Sequence, residues 1–327
     1  MSDDLERRLQ IERDRIAQLE TSQLPMLTGG EQTRLSWARA IRSRADLPQF
    51  YHGFMDELLA GRTMPYAVLT PTFAGFMHRE TERLLFSLEH DLYVLERSRQ
   101  RLNATRYALT DIHYVELGAI LLYGWLKISG PADGKLTAST LRFNVVNDNL
   151  FVPFINQIRP AAQPLSASDL PAEQRKFDYL MNENFKFMNY ARRSLLPGER
   201  VIQPLLQPEI RATLITLLGR SWSRTVATAH IHILTDSEWI IIRDDEHSPI
   251  GHGQVRYGGI WTYVPLDRIT SVSLSIRHDE RLTLTLHFSH DDRLESVFAP
   301  SNREAVAAFL KQVASAAPKV SIHGDAA

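Results

Sequence analysis

The sequence predicts an α+β protein that contains two related, β-rich copies of one unit, each ended by a helix. The first observation is a set of four sequence blocks that recur in the same order. The second is that short apolar runs bounded by turn residues fill most of each copy, as is typical of strands. The third is an amphipathic helical pattern at the end of each copy. Four collinear blocks indicate a duplication more strongly than any one of them could.

Each block has one member in each copy. The first block joins a Leu-Leu-x-Gly turn to an apolar run that ends in proline, and the last block is the helical pattern. The pairs are 58–71 with 195–208, 88–97 with 234–243, 109–117 with 266–274, and 143–158 with 298–313.

Composition narrows the class of protein. The chain has 327 residues, of which 44% are apolar and 23% are charged, which fits about two soluble domains. It has no cysteine, so disulfides, Cys-ligated zinc and thiolate nucleophiles are excluded. The net charge of −1 disfavours broad electrostatic binding to nucleic acid. No stretch approaches the roughly 20 apolar residues of a membrane span, and no signal peptide is recognisable, so we expect a cytoplasmic protein.

The first part of the chain is predicted to be helical. Residues 3–20 have the spacing of a charged helix, which is either solvated or a short self-association helix. A second helical stretch covers 32–44. A third helix follows Asp46-Leu47-Pro48, and Gly61 suits its C-terminal cap.

Between the two copies, the prolines and small residues of 160–168 predict a linker. Asp169-Leu170-Pro171 then introduces a helix that runs to about Arg193, whose apolar stripe is typical of a packing surface. The predicted organisation is a helical leader at 1–57, a first domain at 58–160, a linker and helix at 161–194, a second domain at 195–316 and a flexible tail at 317–327.

Three motifs of the second copy carry a resemblance to a known family. They are Leu196-Pro197-Gly198-Glu199, Leu234-Thr235-Asp236 and Pro265-Leu266-Asp267-Arg268-Ile269. Their order resembles the bacterial pleckstrin-homology-like domains over roughly 195–315. The first copy departs from it, with Gly61-Arg62 in place of Gly-Glu. The resemblance implies two tandem antiparallel split β-barrels, each capped by a C-terminal α-helix, that serve as interaction modules rather than enzymes.

The main candidate binding segment is the insertion at 210–230 of the second copy. It carries several cationic residues and a tryptophan, and no acidic residue lies between Glu209 and Asp236. In pleckstrin-homology folds, a loop at this position commonly meets phosphorylated head groups, and arginine donates two hydrogen bonds to phosphate at once. The alternatives are a docked helix with solvated arginines and a surface for a protein partner. The candidate contact residues are Arg211, Arg220, Trp222, Arg224 and His230.

No motif predicts a cofactor, a metal or a catalytic centre. His230 and His232 fall on one strand face, but no ligand pattern accompanies them, so they are expected to face water. The glycines at 251–253 lack the following helix of a phosphate-binding loop, and the acids at 244–246 lack a nucleophile nearby.

We therefore expect a non-catalytic interaction or scaffolding protein with an unknown protein partner. The alternative is a peripheral membrane adaptor that binds anionic lipid, or a phosphate-bearing ligand, through 210–230. Self-association through the leader helix or an exposed sheet edge is a further expectation.

Overall fold

The computed structural model describes residues 37–74, 79–98, 101–160, 169–217, 220–245 and 257–324, with only the backbone for 73–74, 79–80, 213–217 and 220–223. The chain divides into two units, Met1–Trp37 and Ala38–Ala327, and every described helix and strand belongs to the second unit. The fold of this unit is α+β, with mostly antiparallel sheets and few helices. No helix of the described ranges is long and apolar enough to cross a membrane.

The first copy and the residues just before it form one antiparallel sheet, a short ribbon and three strands of a second sheet. Helix α1 (His52–Leu59) precedes most of them and packs on the first sheet. The strands are β1 (Arg39–Ile41), β2 (Ala67–Thr70), β3 (Phe73–Ala74), β4 (Arg79–Glu80), β5 (Arg83–Leu88), β6 (Asp91–Ser98), β7 (Arg101–Ala108), β8 (Tyr114–Ile120), β9 (Tyr123–Ala132) and β10 (Lys135–Asn144). The first sheet has the order β1-β2-β5-β6-β7, while β3 and β4 form the ribbon. Helix α2 (Val152–Ile158) follows β10.

The second copy follows helices α3 (Leu170–Arg175) and α4 (Phe185–Ser194), and nine of its strands recur in the order of β2 to β10. Helix α5 (Arg303–Ala316) follows its last meander strand. The strands are β11 (Val201–Gln207), β12 (Ile210–Leu217), β13 (Arg220–Ala227), β14 (His230–Thr235), β15 (Glu238–Arg243), β16 (Gly259–Pro265), β17 (Ser271–Ile276), β18 (Leu282–His287), β19 (Arg293–Phe298) and β20 (Ser321–Gly324). Short 3-10 turns lie at 44–46, 49–51, 145–150, 178–181, 266–268, 289–291 and 300–302.

The two copies share one sheet. A seven-stranded antiparallel sheet has the order β10-β9-β8-β16-β15-β14-β11, so the meander of the first copy continues into the first sheet of the second. The joint is the β8–β16 pair, whose register runs from Ala119↔Gly259 to Val115↔Tyr263. A Cβ on Gly258 would lie 2.1 Å from the carbonyl oxygen of Ala119, and the φ angle of Gly258 is +86°. Only glycine suits such a close approach in this conformation.

Each closing helix buries its apolar stripe. Phe154, Ile155 and Ile158 of α2 join a core that extends across the shared sheet into the second copy. Phe309 of α5 is fully buried, with its ring centroid 4.9 Å from that of Trp239, in a second core that lies mostly in the second copy. Burying side chains of this size stabilises a fold by about 1.5–3 kcal/mol each. The helical pattern in the last sequence block therefore marks core positions.

Several sequence-based expectations were wrong in detail. The part of 32–44 that is described contains strand β1 rather than a helix, because Ile41 is buried and pairs with Ala67 of β2. The helix expected from Asp169 to Arg193 is interrupted by a 3-10 turn, and α4 starts anew where the side chain of Asn184 accepts a hydrogen bond from the Phe187 N–H. The segment expected to be a flexible tail contains β20.

Other expectations fall outside the described residues. The charged helix at 3–20 and the linker at 161–168 belong to this group. Gly61 does adopt a left-handed φ of +84° after α1, although the helix cap itself is Ala60, with a φ of +47°.

Candidate functional site

The insertion at 210–230 is a β-ribbon. β12 and β13 pair as a separate two-stranded sheet between β11 and β14, at the position that β3 and β4 occupy in the first copy. The docked helix that the sequence left open is therefore wrong for this segment. Alternating serines, threonines and β-branched residues favour strands here over a helix.

The register of the ribbon sorts its residues by face. Arg220, Trp222 and Arg224 alternate along β13 and so belong to one face. Their partners on β12 are Leu217, Ile215 and Ala212. The intervening β13 positions are Ser221, Ser223 and Thr225, opposite Thr216, Thr213 and Arg211. One face thus combines two arginines, a tryptophan and aliphatic residues, and the other is mainly hydroxyl-bearing. We call the former the basic–apolar face.

Two predicted contact residues lie apart from this face. Arg211 is half-exposed and forms an ion pair of 2.8 Å with Glu209, which also accepts a hydrogen bond from Thr225. This pairing offsets the positive charge of Arg211 locally. His230 lies at the start of β14 and is 5% exposed, so it does not belong to the ribbon surface. Arg224 is exposed, as a ligand contact requires.

His230 and His232 share a strand face, as the sequence indicated, but that face is the core rather than the solvent side. Trp239 Nε1 donates to Nδ1 of His232 at 3.0 Å, which leaves Nε2 of His232 to donate to Ser296 at 3.0 Å. Nδ1 of His230 donates to the carbonyl oxygen of Thr228 at 2.9 Å. Burial lowers the pKa of His230 to about 4 and that of His232 well below its usual value. Both imidazoles are therefore neutral at neutral pH and act as hydrogen-bonding core residues.

Metal binding finds no support among the described residues, where no group of three or more His, Cys, Asp or Glu side chains converges. Residues 246–256, which include most of the glycine-rich loop, lie outside those residues.

The contact between the copies contains a polar network that the sequence analysis missed. His113 of the first copy places Nδ1 2.9 Å from Oδ2 of Asp292 and Nε2 2.7 Å from Oγ of Ser289, both in the second copy. Ser129 donates to the same Asp292 oxygen at 3.0 Å. Burial alone would raise the pKa of Asp292, but the hydrogen bonds from His113 and Ser129 lower it. No local motif could reveal this network, because 176 residues separate His113 from Ser289.

The order Ser289–His113–Asp292 matches the hydrogen-bond pattern of an activated serine. Ser289 is exposed at a cleft of about 540 Å³ whose lining carries both arginines and aspartates. The imidazole of His113, however, is only 3% exposed, and its ring stacks on that of Phe288 with centroids 5.2 Å apart. Chemically, the network can fix the two copies together, and it can also polarise one serine hydroxyl.

A second buried network also connects residues of the two copies. Arg159, which follows α2, donates from Nε to both oxygens of Glu238 at 3.0 and 3.1 Å and from Nη2 to the carbonyl oxygen of Ser194 at 2.7 Å. Its Cζ lies 4.1 Å from the ring centroid of Tyr263. Glu199, in the Leu-Pro-Gly-Glu motif, lies 3.4 Å from Nη2 of Arg159.

Burial changes the protonation of Glu199 in this network. Burial, followed by repulsion from Glu238, raises the pKa of Glu199 far above its usual range, and Arg159 offsets this only in part. Glu199 is therefore protonated at neutral pH, and the guanidinium of Arg159 contacts the carboxyl group of Glu238 directly.

Comparison with known proteins adds little. No protein-family model matches the chain, and no curated protein matches it. Among solved structures, the hSac2 domain from the human phosphoinositide phosphatase Sac2 is 9% identical, with a TM-score of 0.29 over 45% of this chain and 89% of that domain. A likeness of this size carries no conclusion about fold or function.

Proposed function

We propose that the chain is a non-catalytic interaction protein composed of two tandem pleckstrin-homology-like units. The support is the repeated order of elements: a strand, an inserted ribbon, a three-strand run, a three-strand meander and a closing helix. This order occupies β2 to α2 in the first copy and β11 to α5 in the second. Fold by itself does not give function, so the binding role depends on the surfaces that the units present.

The ribbon β12–β13 is the proposed binding element, and the basic–apolar face carries the proposal. Arginine forms paired hydrogen bonds with phosphate, and tryptophan is favoured where water meets an apolar phase. Arg220, Trp222 and Arg224 are spaced to present both properties on one face. The second candidate function is a peripheral membrane adaptor that binds anionic lipid. Two arginines and a tryptophan on one face favour this function.

Co-sedimentation with vesicles tests the second candidate against the first. We expect binding to vesicles of phosphatidylcholine with phosphatidylglycerol, no binding to phosphatidylcholine alone, and a decrease as salt is raised. The double variant Arg220→Glu, Arg224→Glu should lose this binding. The matched control, Arg211→Glu, changes an arginine of the opposite face and should retain most of it.

Two results would reject the membrane role and leave a protein partner as the occupant of the ribbon. One is no binding to anionic vesicles even at low salt. The other is equal binding by the double variant and the unchanged protein. Soluble inositol phosphate as a competitor separates a headgroup site from a general surface charge.

We propose that the Ser289–His113–Asp292 network joins the two copies and does not catalyse a reaction. Its histidine is enclosed, and Asp292 is held by donors from both copies, including the N–H of Arg293 at 2.9 Å. Such a network fixes the relative position of β9 and the turn before β19.

A further inference from the structure

β8 and β17 are equivalent strands of the two copies, since each follows the start of the third sequence block and begins the meander. Their outer edges are covered in different ways. β8 pairs with β16 in antiparallel register over five residues, and β16 contains the large residues Trp261 and Tyr263. The corresponding edge of β17 pairs, among the described strands, with β20 in parallel register over four residues, from Ser271↔Ser321 to Leu274↔Gly324.

Within the described residues, β20 covers part of the β17 edge. Its register with β17 ends at Leu274, while β17 runs on to Ile276, which is 39% exposed. An apolar groove of about 350 Å³ remains between β20 and α5. Its main lining residues are Leu274, Ala307, Leu310, Ala314 and Ile322. An edge with unpaired peptide groups beside an apolar groove is a template for another strand.

In the first copy, the strand that corresponds to β16 is β7. Each is the last strand before the meander of its copy, and β7 lies at the outer edge of its sheet, where it pairs with β6 alone among the described strands. The N–H of Leu109, just after β7, donates to the carbonyl oxygen of His90, just before β6, at 2.9 Å. Because bonding direction alternates along a strand, the N–H groups of Leu102, Ala104 and Arg106 point to the open edge.

The side chains of the two edges also correspond. β17 alternates serines at 271, 273 and 275 with apolar residues at 272, 274 and 276. β7 alternates Arg101, Asn103 and Thr105 with Leu102, Ala104 and Arg106. Pairing in one register would therefore place polar residues beside serines and aliphatic residues beside aliphatic ones.

We propose that β17 is a self-assembly edge that accepts β7 of a second copy of this chain, as β8 accepts β16 within one copy. β20 occupies this edge and blocks the assembly. The contact joins two different surfaces, so it is heterologous and adds chains head to tail. The inference goes beyond the ribbon-mediated role and does not depend on it.

The experiment measures mass by light scattering over a range of protein concentrations. We expect the unchanged protein to keep the mass of one chain. A variant that ends at Val320, and so lacks β20 but keeps the buried Val320, should associate and reach roughly two or more chain masses. Ile322→Asp in the full chain should act in the same direction, because it places a charge against the apolar groove.

Ala104→Pro is the matched test of the partner strand. This substitution removes an N–H that points to the open edge, and it leaves the hydrogen bonds between β6 and β7 intact. In the variant that ends at Val320 it should restore the mass of one chain. The idea is overturned if both β20 variants keep their circular dichroism spectrum yet stay at one chain mass, or if Ala104→Pro leaves the association unchanged. Vesicle binding is measured separately and reports on the ribbon, so either proposal can fail alone.

Discussion

Arg159 provides the most direct test of how the two copies are joined. The proposed change is Arg159→Met, which retains an unbranched apolar stem and removes the guanidinium. In the structure, Arg159 and its two carboxylate neighbours have side chains that are 5%, 0% and 0% exposed. The variant therefore leaves Glu238 and Glu199 in the core without a cation.

The expected loss follows from this burial. Removing one partner of a buried ion pair typically costs about 3–5 kcal/mol, because the remaining charge is neither solvated nor paired. The lost contact with Tyr263 acts in the same direction. Arg192→Met is the matched control, since Arg192 pairs with Asp178 where the side chains are 30% and 49% exposed, and such a pair contributes only about 0–1 kcal/mol.

The assay is urea unfolding followed by tryptophan fluorescence, which gives the free energy of unfolding for each variant. The loss in Arg159→Met should shrink as the pH is lowered, because an unpaired buried carboxyl has a raised pKa and takes up a proton in the folded state. Adding Glu238→Gln and Glu199→Gln to Arg159→Met should recover most of the stability, since no buried charge then remains.

A loss of unfolding free energy in Arg159→Met that is no greater than the loss in Arg192→Met at neutral pH would refute this role of the buried cation. A loss that is independent of pH would also refute it, because an uncompensated buried carboxylate must respond to protonation.

Two other predictions concern His230 and Ser289. The folded-state pKa of His230 is about 4, below its ordinary value of 6.5, so the unfolded chain binds the proton first and stability falls as the pH drops below 6.5. Between pH 6.5 and 5, His230→Gln should lose about 2 kcal/mol less unfolding free energy than the unchanged protein. Equal losses in the two proteins would contradict this. For Ser289, incubation with a fluorophosphonate probe should give no covalent adduct by mass spectrometry. A stoichiometric adduct on Ser289 that is absent from Ser289→Ala would show an activated serine, with Ser301→Ala as the control at another exposed serine.

The sequence was most informative where the information is local. The repeated turn and strand blocks marked equivalent elements, such as the Leu234-Thr235-Asp236 turn between β14 and β15. The helix that contains Phe309 was predicted from its amphipathic pattern, because a 3.6-residue period directly reports one buried face. The region before the first repeat was harder, because the residues that form β1 show a helical spacing and only pairing with β2 makes them a strand.

The residues of the candidate site also differ in how far the sequence could predict them. The ribbon residues could be named from the run of cations and tryptophan in one segment, although their common face needed the register. His230 could not be excluded from that surface until the position of β14 in the core was known. His113 with Asp292 and Arg159 with Glu238 could not be foreseen, because 179 and 79 residues separate the partners.

By itself, the sequence predicted a β-rich chain with an order of blocks that recurs and with amphipathic helices. Those features depend on short-range periodicity and turn chemistry, which neighbouring residues specify among themselves. The tertiary structure alone decided that β8 pairs with β16, that two polar networks connect the copies, and that β20 pairs with the equivalent edge of β17. Strand pairing and buried charge pairing depend on which distant segments meet, and the free energy that selects them is realised only when the whole core has formed.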